Sequence, residues 1–168
     1  MRQRIVISGR GGQGVLTLTR VLAEAAVAAG HEVITTETHG MAQRGGSVLS
    51  TVKVGAFHGP LVAPEEAEVG LFLHVDNLPV HGQYLRPHAV AVVNAAKLTG
   101  HVCVDADRLA SLAGEPRAAN LALLGYAVGK RIFFAGPDLF EETIRNSTPA
   151  KYLDRNLAAF RAGVEAAR

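Results

Sequence analysis

Tryptophan is absent from these 168 residues, cysteine occurs once, and aromatic residues make up only 5% of the chain. With 48% hydrophobic residues and so few rings, the core has to be built from Val, Leu, Ile and Ala, which suits a layered β-α protein. The lone cysteine, Cys103, excludes an intramolecular disulfide and is compatible with a reducing compartment. No apolar run approaches the roughly 18 residues of a membrane-spanning helix. Arg2-Gln3-Arg4 leads straight into a short strand rather than into the long apolar region of a signal peptide, so the chain is expected to be soluble and cytoplasmic. A charge imbalance is missing too: the formal net charge is +2, and the basic residues are spread from Arg2 to Arg168 without a block. That leaves no electrostatic footprint for a phosphate backbone, and nucleic acid is not an expected partner. No linker, repeat or low-complexity stretch divides the chain, and its length fits one domain over 1–168.

The elements that are present alternate. Arg4 to Ser8 is a β-branched run that ends at Gly9, in the manner of a first buried strand. Val15, Leu18, Leu22, Ala25 and Ala29 then recur at helical spacing, and Gly30 stands where a helix C-cap is expected. His31 to Thr36 reads as a second strand, so the chain opens with a β-α-β unit. Ser47 to Val54 alternates apolar and polar residues, as a strand with one less buried face would, and this implies a mixed sheet. Val69 to Val75 and Ala89 to Val93 are candidate central strands, and His101 to Val104 is a further one. Asp107 to Ala113, Ala118 to Lys130 and Pro137 to Asn146 read as helices. A last helix is expected after Thr148 as its cap and Pro149 in its first turn, with Leu153, Leu157, Phe160 and Val164 on one apolar stripe.

Two glycine-rich segments carry the chemistry. Gly9-Arg10-Gly11-Gly12-Gln13-Gly14 matches G-x-G-x-x-G between a strand and a helix, where glycines permit a tight turn and let an anion approach the free N–H groups of the helix start. Gly9, Gly11, Gly12, Gln13 and Gly14 are therefore candidate cofactor-binding residues, and Glu37 lies near the end of the second strand, where a dinucleotide fold places its ribose-binding carboxylate. The same turn also serves simply to pack a helix closely on a sheet. The second segment runs from Glu37 through His39, Gly40, Met41, Gln43, Arg44, Gly45 and Gly46 to Ser47. Arg44, beside the Gly45-Gly46 pair, has the fork to hold a phosphate or carboxylate bidentately while the bare backbone admits a large partner. A solvated hairpin whose arginine makes a surface ion pair is the alternative.

Together these segments resemble the gamma-type subunit of the 2-oxoacid:ferredoxin oxidoreductases, and the second is particularly similar to the small subunit of the indolepyruvate-type enzymes. Further matches run through Gly59-Pro60-Leu61-Val62 with Pro64, Val92-Val93-Asn94, Arg117-Ala118-Ala119-Asn120 with Leu124-Gly125, and Asn156 to Phe160 with Gly163. The chain departs from its relatives in reading His74-Val75-Asp76-Asn77 where acidic residues often follow the strand. The resemblance implies an α/β, three-layer Rossmann-like fold with a mixed, mostly parallel sheet and helices on both faces. It further implies a complex that decarboxylates a 2-oxo acid with thiamine diphosphate, Mg2+, [4Fe-4S] clusters and coenzyme A, and delivers electrons to ferredoxin. The cofactors would be held by alpha- and beta-type partners, with a ferredoxin-like delta subunit in some assemblies. One cysteine cannot ligate a cubane cluster. No catalytic residue is expected in this chain alone, no cofactor is expected to be bound by it alone, and Glu37 to Ser47 is expected to complete a partner and ligand interface.

Other constellations are weaker. His74, His81 and His88 repeat every seven residues, but Pro79, Gly82 and Pro87 argue against one helix face and hence against a metal site. Cys103 lies in an apolar run and reads as a small buried residue, and Asp105 or its neighbour reads as a helix cap rather than as half of an acid-base pair of Asp105 with Asp107. A free-standing nucleotide-dependent dehydrogenase and a non-enzymatic binding module remain as alternatives.

Overall fold

The computed structural model describes residues 1–38 and 46–168. Its strands are β1 (Gln3–Arg10), β2 (Val33–Thr38), β3 (Ser47–Val54), β4 (Ala67–Phe72), β5 (Leu85–Asn94) and β6 (Val102–Val104). The helices are α1 (Val15–Ala28), α2 (Asn77–His81), α3 (Ala106–Leu112), α4 (Ala119–Gly129), α5 (Pro137–Ser147) and α6 (Ala150–Ala166). The sheet order is β2-β3-β1-β4-β5-β6, in which β3 runs antiparallel to both β1 and β2, and β1, β4, β5 and β6 are parallel neighbours. The mixed, mostly parallel α/β sheet expected from the strand pattern is present.

One face of this sheet carries most of the helical mass. Ile5, Ile7, Val52, Val69, Leu71 and Val92 point into a core shared with α1 and α3 to α6. Within it α4 and α6 touch backbone to backbone: a Cβ on Gly125 would run into the carbonyl of Phe160, and one on Gly163 into that of Ala122. The other face is covered by much less, namely α2, the 3₁₀ turn Gly82–Tyr84 and the segment 55–66, which leave two smaller apolar clusters around Val6 and Phe72.

Three local expectations need correcting. Strand β3 has no water-facing side, since Ser50, Thr51 and Lys53 are all buried. It lies inside the sheet, and two of its polar side chains are satisfied internally: Thr19 Oγ1 donates to Ser50 Oγ at 2.7 Å, and Lys53 Nζ donates to the carbonyls of Gly59 (2.9 Å) and Leu61. Thr148 does not cap α6. It is the extended residue closing α5, its N–H bonded to Ile144 O, and Pro149 occupies the N-cap position with no side-chain bond. A short helix, α2, also forms around Pro79. The proline sits in the first turn, where its missing N–H costs nothing because helix starts have no internal partner for it.

Candidate functional site

In a doubly wound sheet the crevice for a ligand lies outside the carboxyl ends of the strands where the connections diverge. Here that place is between β1 and β4, because the chain leaves β1 toward β2 and leaves β4 toward β5. The Gly9 to Gly14 turn sits there, and its side chains are drawn inward to hold it. Gln13 Oε1 accepts from the Arg10 N–H at 2.7 Å, and Gln13 Nε2 donates to Leu73 O at 3.2 Å, so one amide ties the end of β1 to the end of β4. Arg10 pairs with Asp76 at 2.6 Å, and the buried Asn77 donates to Gly9 O at 3.0 Å. Gly12 and Gly14 both have positive φ, +89° and +84°. A Cβ on Gly14 would strike the amide of Asn120, which itself donates to Gly14 O at 3.3 Å. Gly12, by contrast, has nothing within 4 Å of where a Cβ would stand. The turn is packed at Gly14 and open at Gly12, so close packing and an approachable backbone are both realised, at different glycines.

Two adjoining clefts open beside it. The larger, about 290 Å³, is lined by Gly12, Gly14, Thr17, Glu115, Arg117 and Asn120 among others. The second, about 210 Å³, shares Gly12, Gln13, Arg117 and Asn120 and reaches Leu73, Asn94 and Asp107. The electrostatics are set mainly by Glu115 and Arg117. Glu115 is buried, and Arg117 hydrogen-bonds its carboxylate at 3.1 Å, which holds its pKa below the usual carboxylate range; Arg155 at 3.8 Å adds to this. Asn94 is a polar junction: its Nδ2 reaches Leu73 O (3.2 Å) and Asp107 Oδ2 (3.1 Å), while its Oδ1 accepts the first N–H of α3 at 2.9 Å. Asp107 is thereby engaged in structure, and Asp105 caps α3 by accepting from Arg108 N at 3.0 Å, as its position before the helix implied.

The second segment meets the first through the sheet. In the β1–β3 register Arg10 stands opposite Ser47, and Gly11 N–H donates to Gly46 O at 2.9 Å. Gly46 and the exposed Ser47 are therefore beside the glycine turn. His39, Gly40, Met41, Gln43, Arg44 and Gly45 lie outside the described residues. Glu37 is on β2, paired with Ser50, and lines a separate cleft of about 420 Å³ along α1, which meets the first only at Thr17. The insertion of β3 puts two strand spacings, about 9 to 10 Å, between β2 and β1, so Glu37 is not on the strand adjacent to the turn as a ribose-binding carboxylate would be. Arg117, Asn120 and Asn94 complete the site from distant parts of the sequence. Their only sequence signal is that they fall within the resembling segments.

Among the described residues no cluster of three or more His, Cys, Asp or Glu could hold a metal ion, and no helix is long and apolar enough to cross a membrane. With one thiol in the chain, the residues do not fit a [4Fe-4S] cluster. What the turn, the unpaired Gly12 surface and Arg117 do fit is the anionic part of a ligand brought to the start of α1.

Residues 4–166 match the family model described as pyruvate ferredoxin/flavodoxin oxidoreductase. The indolepyruvate oxidoreductase subunit IorB of Archaeoglobus fulgidus is 33% identical, over 97% of this chain and 94% of that protein. The ketoisovalerate oxidoreductase subunit VorA of Methanothermobacter marburgensis is 32% identical over 98% of this chain, which corresponds to 36% of VorA. Among solved structures, the keto/oxoacid ferredoxin oxidoreductase gamma subunit of Geobacter sulfurreducens superposes with a TM-score of 0.82 at 23% identity, each chain covered to 98%. The pyruvate oxidoreductase subunit PORC of Thermotoga maritima gives 0.78 at 26% identity, with 98% of this chain and 96% of that one covered. The family match spans nearly the whole chain and the IorB subunit is matched almost end to end, so the chain belongs to the pyruvate ferredoxin/flavodoxin oxidoreductase family.

Proposed function

We propose that the chain acts, as one domain over 1–168, in a cytoplasmic complex that oxidatively decarboxylates a 2-oxo acid to an acyl-CoA, and that its own part is to complete the ligand and subunit interface. Alpha- and beta-type subunits, with a ferredoxin-like delta subunit where there is one, hold thiamine diphosphate, Mg2+ and the [4Fe-4S] clusters and pass electrons to ferredoxin. Those groups supply the carbanion and electron-transfer chemistry. This chain binds and orients. Gly12, Gly14 and Arg117 take the anionic end of the ligand on the coenzyme A or thiamine side, and the segment Gln43 to Ser47, of which Gly46 and Ser47 lie beside the turn, meets the partner.

The observation that carries this reading is the 2.9 Å bond from Gly11 N–H to Gly46 O, which joins the two glycine-rich segments where β1 ends and β3 begins, next to a cleft. A free-standing dehydrogenase is disfavoured by the same topology, since β3 separates Glu37 from the turn.

A paired substitution tests it. Gly12 and Gly30 both have positive φ, +89° and +83°, and neither has an atom within 4 Å of a would-be Cβ. Valine at either position therefore carries a similar backbone penalty within the chain. Gly12→Val is expected to abolish recovery with tagged partner subunits, and Gly30→Val, at the other end of α1, to leave it intact. Equal recovery of both would refute the proposed face.

A further inference from the structure

Three helices of this protein end in the same hydrogen-bonded turn, and one of them uses an unusual residue. After α1, Gly30 N–H bonds to Val27 O and His31 N–H to Ala26 O; after α3, Gly114 N–H bonds to Ser111 O and Glu115 N–H to Ala110 O. After α4 the pattern is repeated by Arg131 N–H to Val128 O (2.9 Å) and Ile132 N–H to Ala127 O (3.3 Å). The turn requires its first residue past the cap to adopt positive φ, where glycine has no Cβ penalty. Gly30 (+83°) and Gly114 (+89°) conform, but the third position is Arg131, at +58°. A strained conformation retained at one of three equivalent turns points to a use for the side chain.

Arg131 lines a cleft of about 550 Å³ at the end of the molecule opposite the glycine turn: Gln3, at the start of β1, donates to Ile132 O at 2.9 Å. Its lining is mixed: Val128, Phe133, Phe134 and Val164 supply an apolar part, and its other cation is Arg168. Arg168 is paired with Glu165 at 3.1 Å, whereas Arg131 has no ion pair or side-chain hydrogen bond among the described residues. The volume lies in the range of small-molecule sites, and an unpaired arginine in a cleft that also presents aromatic and aliphatic side chains matches a carboxylate joined to an apolar body.

We propose that this cleft binds a small organic carboxylate, with its anionic end on Arg131 and its apolar body against Phe133, Phe134 and Val164. The site does not depend on the function proposed above, because it shares no residue with the glycine-turn clefts.

The test uses the full chain and 2-naphthoate as probe, followed by calorimetry and by thermal unfolding. The wild-type chain is expected to bind one equivalent saturably, and the uncharged 2-naphthol at least about tenfold more weakly, as loss of a charge-assisted contact implies. Arg131→Gly is expected to weaken naphthoate binding at least about tenfold and yet to raise the unfolding midpoint by about 2 to 4 °C, because the strain is relieved. Arg131→Asn, which also tolerates positive φ, is expected to lose binding in the same way. Unsaturable binding, equal affinity for the neutral analogue, affinity unchanged in the two variants, or a midpoint that fails to rise in Arg131→Gly would each overturn the proposal.

Discussion

The two faces of the sheet are built on different principles. The helical face is closed by apolar contact: Phe140, Phe160, Leu123, Leu124 and Ile144 are fully buried, and α4 and α6 meet so closely that only glycine fits at 125 and 163. The thinner face is closed by polar ties. Lys53 is buried under the segment 55–66 and held by two carbonyls, Ser8 is hydrogen-bonded to His81 at 2.6 Å, Asn77 is bonded to Gly9 O, and the buried Thr51 hydroxyl has no partner among the described residues. Apolar burial is non-directional and tolerant, so it supplies stability; buried polar groups are costly unless paired, so they fix geometry. The ties from Asn77 and Arg10 end on the glycine turn, so the thinner face organises the site, and the helical face keeps the chain folded.

Substitutions on each face should separate the two roles. The largest effect is expected from Phe160→Ala, which empties the centre of the helical core and should cost about 3 to 5 kcal/mol in urea unfolding, with the glycine turn unchanged until the whole domain unfolds. Lys53→Met should cost less, about 1 to 3 kcal/mol, because it strands the carbonyls of Gly59 and Leu61, and should show itself first as faster proteolysis within 55–66. A loss equal to that of Phe160→Ala would erase the distinction between the faces. Gly14→Ala is expected to cost about 1 to 2 kcal/mol through its positive φ, and to shift the amide resonances of Asn120 and the first turn of α1, with little change elsewhere.

The smallest effect concerns pH. Burial lowers the pKa of His81 from its ordinary 6.5, so the folded state prefers the neutral ring and the unfolded state binds the proton more readily. The stability this contributes is complete above about pH 6.5 and is lost as pH falls through the lowered folded value. The lowered carboxylates, Glu115 and Glu141, lose theirs only further down, below their ordinary 4.5. His81→Gln should therefore flatten the decline in unfolding midpoint that begins as pH falls below 6.5 and leave the acid limb below 4.5 in place.

How far such features can be read from the sequence follows the same division. The apolar face is written locally, as runs and stripes: Ser47 to Val54 is the strand expected, Val15 begins α1 as expected, and Leu157 and Phe160 are buried as their stripe implies. The polar face is not. Nothing near Lys53 in sequence announces that segment 55–66 folds over it, and Ser50 reads as water-facing because its partners come from α1 and β2. Helix α2 is obscured by Pro79, an interior breaker that becomes harmless in a first turn. At the site, the glycine turn is legible from spacing, whereas its contact with Gly46 depends on the antiparallel β1–β3 register, and Arg117 and Asn120 reach it from more than 100 residues away, as the separation of 106 between Gly14 and Asn120 shows.

The most direct test of the account is to purify a tagged copy from its native host, identify accompanying chains by mass spectrometry, and record visible absorption and 2-oxo acid oxidation. The expected result is brown material containing larger thiamine-dependent and iron-sulfur chains, reduction of ferredoxin with a 2-oxo acid and coenzyme A, and no activity once this chain is separated. A colourless, partner-free chain that binds a nicotinamide nucleotide and turns over by itself would contradict it.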